Sequence, residues 1–465
     1  MSNQTNRRNF MKITAAAGAG FWAAGGVSPR PSRAAIDKVN FACIGIMGKG
    51  DSDSGDAKRL GNVVAICDID QDRLDKWQDK YSKKGKTPEF HDYRKMLEQM
   101  DKSIDAVTVS TPDHSHAPAS VMAMKMGKHC FTQKPMTHSI YEARLMAEIA
   151  AEKGLKTQMG NQGTANATLR KSAALIQAGA IGTVKEIHVW TNRPVWPQGE
   201  DAPTETPDVP SNVHWKEWVG PAKMRPYHPA YHPFKWRGWW DFGTGALGDM
   251  ACHTLNMPFM ALNLRDPSSV QAESSGHNKQ TYPKWCLIDY VFPAIGDRPA
   301  CTMRWYDGGK KPPAEILPSA DQLGIKDPKA YSRKINTGSL VVGDKGSLFS
   351  PGDYGGDGAT GILYNNEFVQ QDKVDVEVEV TRSPGHFEEY VLAIMGKMDQ
   401  ARSNFPEYAG GLTETVLLGN LAVWAAAKPG VGDKIEWDAK NLKAKNGVPE
   451  LAEIVKNNYH NGYKL

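Results

Sequence analysis

The 465-residue sequence lacks the cysteine patterns that are typical of disulfide frameworks and zinc sites. None of its six cysteines forms a Cys-x-x-Cys pair, and three lie in short apolar runs that predict buried strands. We therefore expect small buried side chains. The sequence also lacks long runs of lysine or arginine, and its formal net charge of +4 is small for this length. This charge does not favour nucleic acid as a partner.

The N-terminus lacks the long apolar run of a transmembrane helix. Asn6–Lys12 resembles a twin-arginine export signal, and a short Gly/Ala-rich stretch, Ile13–Gly26, follows it. Ser32-Arg33-Ala34 offers a cleavage site. We predict a signal peptide over residues 1–35, a periplasmic protein and no membrane span after processing; the alternative is a disordered tail. The twin-arginine route carries folded proteins, and unpaired cysteines fit folding in a reducing cytoplasm.

Short apolar runs alternate with helical patterns over residues 36–160. The predicted strands are Val39–Ile44, Val63–Cys67, Ala106–Ser110, His129–Phe131 and Thr157–Gly160. The predicted helices between them include Arg73–Tyr81, Tyr93–Met100, Ala117–Met126 and Ile140–Lys153. This spacing predicts β-α-β units and an α/β Rossmann domain with a doubly wound parallel sheet.

A different pattern begins at residue 161. After a helix over Ala167–Ala178, apolar and polar residues alternate with period two, which predicts an α+β domain, 161–465, with a large, mostly antiparallel open sheet. A hairpin is predicted around Gly343–Gly346. The predicted strands are Val184–Trp190, Leu287–Phe292, Cys301–Tyr306 and Val374–Val380, and the helices Phe387–Met398 and Leu412–Ala427 have lengths suited to covering them.

A glycine-rich loop follows the first predicted strand. Gly45 and Gly50 fit the outer positions of a dinucleotide fingerprint, whereas Met47 takes the middle one and Gly48 is displaced. The polar stretch after Gly50 makes the start of the next helix weak in pattern. At the end of the second strand, Asp68 is placed to accept hydrogen bonds from a ribose, which favours NAD over NADP.

Two alternatives stay open around this acid. Arg73 is close enough in sequence to accommodate a 2′-phosphate, and Asp68 is also a residue type that caps helices. Further polar residues follow later strand ends, on the sheet edge where such folds bind ligands. The residues predicted to bind the cofactor are Gly45, Met47, Gly48, Gly50, Asp68, Thr111, Pro112, His116, Gln133, Lys134 and Asn161.

Asp249 and His253 are four residues apart, so on a helix they share a face and can hydrogen-bond. A carboxylate that orients an imidazole forms an acid/base pair near neutral pH. A capping Asp with a buried His fits the spacing equally well. The pair is also half of a metal site, but the sequence shows no completing ligands, and His114 with His116 has no partner set either. We predict no metal.

Aromatic residues are dense between Trp215 and Trp240, with histidine, lysine and arginine interleaved. Flat rings stack on the apolar faces of sugars, although a subunit interface or a packed loop has the same composition. The residues predicted to bind a substrate are Trp190, Arg193, Tyr231, His232, Arg237, Trp239 and Trp240.

Taken together, these motifs resemble the Gfo/Idh/MocA oxidoreductases, the family of glucose-fructose oxidoreductase and inositol dehydrogenase. The resemblance rests on Thr111–His116, on Lys134-Pro135 in the family's Glu-Lys-Pro slot, and on Gly245–His253. It implies a C-terminal domain with an open sheet that often serves oligomerisation, and a catalytic set of Lys134, Asp249 and His253. Gln133 departs from the family's usual Glu, as the loop departs from the strict glycine pattern.

These features lead to one main hypothesis. We expect an exported, homo-oligomeric NAD(H)-dependent oxidoreductase that acts on a hydroxyl of a sugar or glycoside, with Asp249 orienting His253 as base and Lys134 polarising the oxygen. Outside the cytoplasm there is no NAD pool, so the cofactor has to stay bound and be recycled. The alternatives are an NAD-dependent redox glycoside hydrolase or lyase, a non-catalytic sugar-binding protein, and a metal-dependent lyase that uses the two helical residues.

Overall fold

The computed structural model describes residues 38–82, 85–447 and 454–465. The predicted signal peptide lies outside these residues. The first part of the described chain forms a six-stranded parallel sheet of order β3-β2-β1-β4-β5-β6. Its strands are β1 (Asn40–Ile44), β2 (Asn62–Cys67), β3 (Glu89–Phe90), β4 (Ala106–Val109), β5 (His129–Thr132) and β6 (Thr157–Met159). Its helices are α1 (Lys49–Leu60), α2 (Gln71–Tyr81), α3 (Tyr93–Met100), α4 (His116–Lys125) and α5 (Ile140–Glu152).

This sheet confirms the doubly wound Rossmann prediction, because the chain passes from β3 back to β4 on the other side of β1. Helix α1 begins earlier and is more regular than its polar sequence suggested. Asp53 and Ser54 on this helix are buried, but both side chains are hydrogen-bonded, Ser54 accepting from Trp77 Nε1 at 3.0 Å. Neither of these buried polar groups is therefore left without a hydrogen bond.

The rest of the described chain is built on an 11-stranded sheet of order β14-β13-β12-β11-β7-β10-β9-β8-β16-β17, with β15 paired to β8. Its pairs are antiparallel except β7 with β10. The strands are β7 (Val184–Trp190), β8 (Ser269–Ser274), β9 (Cys286–Phe292), β10 (Cys301–Tyr306), β11 (Gly338–Gly343), β12 (Ser347–Pro351), β13 (Gly361–Tyr364), β14 (Glu367–Gln370), β15 (Gly430–Val431), β16 (Ile435–Asp438) and β17 (Lys443–Ala444).

The helices of this part are α6 (Ala167–Gln177), α7 (Trp215–Val219), α8 (Gly245–Thr254), α9 (Asn256–Leu262), α10 (Pro328–Lys334), α11 (His386–Ile394) and α12 (Gly410–Ala425). Helix α12 is buried along most of its length and packs on β8 and on α8. The large, mostly antiparallel sheet and the hairpin of β11 and β12 confirm the predictions.

The strand predicted at Val374–Val380 is wrong. The alternation is real, since the valines are half-buried and the intervening acids exposed, but the segment pairs with no strand of the described chain. Its valines pack directly on the core, so burial of one face produces period two without a ladder.

All six cysteines are buried and free, which confirms that they act as small apolar side chains. Burial raises the pKa of the Cys43 thiol to about 12, so this group is not a nucleophile. Among the described residues, no helix is both long and apolar enough to cross a bilayer.

Candidate active site

The glycine loop makes contacts that only glycine allows. Gly45 has a φ of 73°, and a Cβ there would lie 2.6 Å from the carbonyl oxygen of Ser110. A Cβ on Gly50 would lie 2.1 Å from the carbonyl oxygen of Gly45. The loop therefore turns directly into the N-terminus of α1, where backbone N–H groups and the helix dipole favour a phosphate.

A cleft of about 720 Å³ opens at the carboxyl ends of the Rossmann strands. Residues of both parts of the chain line it. Nine of the eleven predicted cofactor residues are among them: Gly45, Met47, Gly48, Asp68, Thr111, Pro112, His116, Gln133 and Lys134. Gly50 lies behind the loop, and Asn161 is fully buried, with its Oδ1 accepting from Ser403 Oγ at 2.6 Å.

Asp68 is tied to the glycine loop. Its Oδ2 accepts from Ile46 N at 3.1 Å and its Oδ1 accepts from Asp70 N at 3.2 Å. Burial raises the pKa of Asp68 above its usual value, against the opposing charge of Arg73. The cap of α2 is Asp70, which accepts from the N–H of Asp72 at 3.0 Å, so the alternative role of Asp68 as a cap is wrong. Asp68 is left facing the cleft beside the loop, as a ribose ligand must.

Gln133 belongs to a buried polar network beneath the loop. Its Nε2 donates to Asp53 Oδ2 at 2.8 Å, and Ser110 Oγ donates to the same oxygen at 2.7 Å. Lys49 Nζ lies 2.9 Å from Asp53 Oδ1. The carboxylate of this network therefore sits on α1, and position 133 has to supply a donor. This explains why residue 133 carries an amide in this chain, whereas the family that the sequence resembles has a carboxylate at this position.

The Lys134 ammonium reaches across to helix α8. Its Nζ lies 2.7 Å from Asp249 Oδ1 and 2.7 Å from the Asp249 carbonyl oxygen. Arg237 Nε also lies 3.3 Å from Asp249 Oδ1, and the Arg237 guanidinium contacts Asp113. Burial alone would raise the pKa of Asp249, but the charges of Lys134 and Arg237 outweigh it, and the pKa falls well below its usual range. Asp249 is therefore an anion that holds the lysine in the cleft.

His253 lies one turn further along α8 and also lines the cleft. The predicted hydrogen bond with Asp249 is absent, and Asp249 bonds Lys134 instead. The imidazole packs edge-on against the Tyr354 ring, with centroids 4.7 Å apart, and its buried Nδ1 has no hydrogen-bond partner among the described residues. Burial, followed by the charge of Lys134, lowers the pKa of His253 well below 6.5. The ring is therefore neutral at physiological pH.

His116 braces two loops at the floor of the cleft. Its ring nitrogens lie 2.8 Å from the Pro135 carbonyl oxygen and 2.7 Å from the Thr111 carbonyl oxygen. The backbone on either side of Lys134 and Thr111 is thereby held at the strand ends. Within the part of the chain that the structure describes, no three His, Cys, Asp or Glu side chains are grouped to hold a metal ion.

Of the predicted substrate residues, Arg193, His232 and Arg237 line the cleft, whereas Trp190, Tyr231, Trp239 and Trp240 do not. Trp190 is fully buried on the outer face of the sheet, where its Nε1 donates to the Ile335 carbonyl oxygen at 3.0 Å. Tyr231 and Trp239 pack together in a separate aromatic core. Trp240 stacks on Tyr282 with centroids 3.7 Å apart. These four rings stabilise the fold.

Other aromatic residues occupy the cleft instead. Phe234 and Tyr354 line it with 60% and 45% of their surface exposed, and Trp236 lies beside them under the Arg237 guanidinium at 4.2 Å. Tyr463 lines its far end. Phe234 and Trp236 belong to the aromatic stretch seen in the sequence, but no local pattern distinguishes them from their buried neighbours. Tyr354 and Tyr463 lie outside that stretch.

Two family models match the chain. The model described as an oxidoreductase family with an NAD-binding Rossmann fold matches residues 39–161, and the model of its C-terminal alpha/beta domain matches residues 166–296. Together the two matches cover more than half of the sequence. The chain belongs to the Gfo/Idh/MocA oxidoreductase family. The glycine cradle, the placement of Asp68 and the cleft fit the NAD that this Rossmann domain binds.

Curated relatives match about a third of the chain. The inositol 2-dehydrogenase of Salmonella typhimurium is 27% identical over 151 residues, 31% of this chain and 44% of the relative. A glycosyl hydrolase family 109 protein of Shewanella baltica is 31% identical over 170 residues, 31% of this chain and 37% of the relative. The chain thus matches less than half of the length of these relatives.

Solved structures share the fold over most of the chain. The WlbA dehydrogenase of Bordetella pertussis, solved with NADH and UDP-GlcNAcA, aligns with a TM-score of 0.54 at 17% identity, covering 84% of this chain and 96% of that one. The aldose-aldose oxidoreductase of Caulobacter crescentus, complexed with glycerol, aligns with a TM-score of 0.54 at 14% identity, covering 84% and 97%.

Proposed function

We propose that this member of the Gfo/Idh/MocA family is an NAD(H)-dependent oxidoreductase that acts on a hydroxyl of a sugar or glycoside. The observation that carries the proposal is the convergence of Lys134, Asp249 and His253 in one cleft with the glycine loop and Asp68. The open cleft aromatics, Phe234 and Tyr354, match the apolar faces of a sugar ring, and the guanidinium of Arg193 suits its hydroxyls.

The residues divide the chemistry between them. NAD, when bound, supplies the hydride acceptor. His253 would take the proton from the hydroxyl oxygen while the carbon that bears this hydroxyl gives up its hydride to the bound cofactor, so that a ketone forms. The Lys134 ammonium, held by Asp249, donates to the hydroxyl oxygen and stabilises the charge that develops there. Reduction of a ketone runs through the same contacts in reverse.

A His253→Ala variant tests the assignment. We expect turnover of a proven sugar substrate to fall about 10²- to 10⁴-fold, as for the loss of a general base, with bound NAD retained. His228→Ala, which removes a ring outside the cleft lining, is the matched control and keeps wild-type turnover. Intact turnover in the His253 variant would show that another group takes the proton.

We further propose that the protein is exported by the twin-arginine route and keeps its dinucleotide through each catalytic cycle. The Asn6–Lys12 motif supports this, since a protein folded before export can load its cofactor in the cytoplasm. Cell fractionation tests the location. Native mass spectrometry of protein purified without added cofactor tests retention, and emergence as pure apoprotein rules out the recycled cofactor.

The similarity to a glycosyl hydrolase family 109 protein favours a second candidate. In this reaction a ring hydroxyl is oxidised transiently, the glycosidic bond is cleaved, and the ketone is reduced again, so that no net oxidation occurs. A panel of nitrophenyl glycosides separates the two candidates. Release of nitrophenol without accumulation of NADH supports cleavage, whereas stoichiometric NADH or transfer to a second sugar supports oxidation alone.

A further inference from the structure

A segment of the C-terminal part, residues 212–220, lies along the Rossmann loop that follows Asp68; we name it the strap. The Asn212 amide donates to Asp70 Oδ1 at 2.8 Å, and the His214 N–H donates to the Ile69 carbonyl oxygen at 2.8 Å. A β-bridge between Asp70 and the strap lies between these two bonds. The strap is thus fixed directly to the loop that places the ribose acid.

Ring stacking adds to this attachment. The imidazoles of His214 and His91 are nearly parallel, with centroids 3.7 Å apart. His91 lines the cleft, and its Nδ1 lies 2.9 Å from the Asp68 carbonyl oxygen. A chain of contacts therefore runs from the strap through His91 to the backbone of Asp68. Two rings stacked this closely also leave no gap for the passage of a ligand.

The other end of the strap reaches the cleft itself. Glu217 and Trp218 line it opposite the Rossmann residues. His114 Nε2 lies 3.0 Å from the Trp218 carbonyl oxygen, which fixes this end to the loop after β4. The Trp218 indole also packs on the Phe242 ring, with centroids 4.7 Å apart, and this contact fixes its position. The strap is therefore anchored to the Rossmann domain at both of its ends.

A second segment, residues 457–463, closes the same end. Asn461 Nδ2 donates to the carbonyl oxygens of Gly220 and Ala222, at 2.8 and 2.9 Å. Tyr463 lines the cleft, and the Arg94 guanidinium lies over its ring at 4.1 Å. The segment thus binds the strap on one side and the Rossmann domain on the other.

We propose that the strap and residues 457–463 form the outer wall of the adenosine half of the cofactor site and slow the release of the dinucleotide. The proposal rests on the proposed NAD site. In it, Asp68 fixes where the adenosine ribose binds, and the strap hydrogen-bonds the two residues that follow this acid. Departure of the adenosine half requires the bonds of Asn212 and His214, or those of Asn461, to open. The wall comes from chain far from the glycine loop and is additional to the Rossmann fingerprint.

The release rate of NADH tests the proposal. Protein loaded with NADH is mixed with excess NAD, which is not fluorescent, and the loss of the fluorescence of bound NADH is followed. The wild type is compared with the double variant Asn212→Ala/His214→Ala. The variant loses the side-chain bond of Asn212 and the stacking of His214 on His91 but keeps the backbone bond of His214, and we expect release to be at least tenfold faster. Asn278→Ala, which removes a comparable surface bond to Asp201, is the matched control and releases NADH at the wild-type rate.

Two further measurements keep the test decisive. Tyr463→Ala alters the wall from the second segment and also accelerates release, so a poorly folded double variant does not end the experiment. Binding of ADP-ribose weakens in these variants, whereas binding of nicotinamide mononucleotide, which has no adenosine, does not. Release within twofold of wild type in both variants, or equal acceleration in Asn278→Ala, overturns the proposal.

The proposed sugar chemistry is tested separately. The experiment measures a ratio of NADH release rates from loaded protein, so it tests the proposed wall without any sugar substrate. A wild-type protein that exchanges its cofactor rapidly refutes cofactor recycling, but a further acceleration in the strap variants still supports the wall. An active oxidoreductase with unchanged release in the variants refutes the wall alone.

Discussion

The ammonium of Lys134 lies 2.7 Å from both Oδ1 and the backbone carbonyl oxygen of Asp249. Two acceptors on one residue fix the direction of the amine as well as its charge. The lysine is therefore pre-positioned before any substrate arrives, and it keeps its third N–H donor for a ligand in the cleft.

Replacement of Asp249 by Asn tests this arrangement. The lysine keeps a neutral acceptor but loses its counter-charge, and we expect kcat/KM to fall about 10²- to 10⁴-fold with NAD still bound. Asp289→Asn is the control, because its pair with Arg304 is half exposed and contributes at most about 1 kcal/mol. Steady-state kinetics and native mass spectrometry measure the two quantities. Unchanged kcat/KM in Asp249→Asn would remove the lysine–aspartate pair from the mechanism.

Gln133→Glu places a second carboxylate on atoms that now lie 2.8 Å from Asp53 Oδ2. Repulsion and the lost donor lower the free energy of unfolding by about 1–3 kcal/mol. Adding Asp53→Asn supplies an amide donor again, so the double variant recovers most of this loss. Urea denaturation of the four proteins of this double-mutant cycle measures the coupling. Additive effects would show that the two side chains do not depend on each other.

Removing the exposed cleft rings weakens substrate binding. We expect Phe234→Ala and Tyr354→Ala each to raise KM roughly tenfold, equivalent to about 1.4 kcal/mol, with a smaller effect on kcat. In the proposed complex both rings contact the sugar, and Tyr354 also packs edge-on against His253. Val431→Ala, an exposed apolar residue outside the cleft, serves as control and leaves KM unchanged. An effect on kcat alone would place the rings in the chemical step.

Acid destabilises the fold through His232. Burial lowers its pKa from 6.5 to about 4, so at pH 7 the ring is neutral in the folded and unfolded chains and contributes nothing. Below pH 6.5 the unfolded chain takes up a proton that the folded chain refuses, and by pH 5 the loss is about 2 kcal/mol. Thermal unfolding at pH 7 and pH 5 measures it. His232→Gln loses less stability over this range than wild type, and an equal loss in both would contradict the assignment.

Local patterns predicted the fold and the glycine loop that leads into α1. Gly45, Gly50 and Asp68 lie within one β-α-β unit, so their roles follow from spacing along a short stretch of chain. The segment Val374–Val380 shows the limit of the same reasoning, because alternation reports which side chains are buried and not whether the backbone finds a partner strand.

The sequence did not show which side chains pair when their residues are far apart along the chain. Asp249 was expected to pair with His253, four residues away, but it pairs with Lys134, which is 115 residues away. Four of the seven predicted substrate residues lie outside the cleft for a related reason. Trp190 and Phe234 are both aromatic residues in polar surroundings, and only the packed structure shows that one is fully buried and the other faces the cleft.

The bond between Asn212 and Asp70 joins residues 142 positions apart. A ribosome completes the glycine loop and Asp68 long before it makes the strap, and it makes residues 457–463 later still. If these segments wall the adenosine site, a chain that has not yet reached them has a nucleotide site without its outer wall, from which the dinucleotide is released quickly. Firm capture of the dinucleotide then requires that the strap and residues 457–463 have both been made and have folded onto the Rossmann domain.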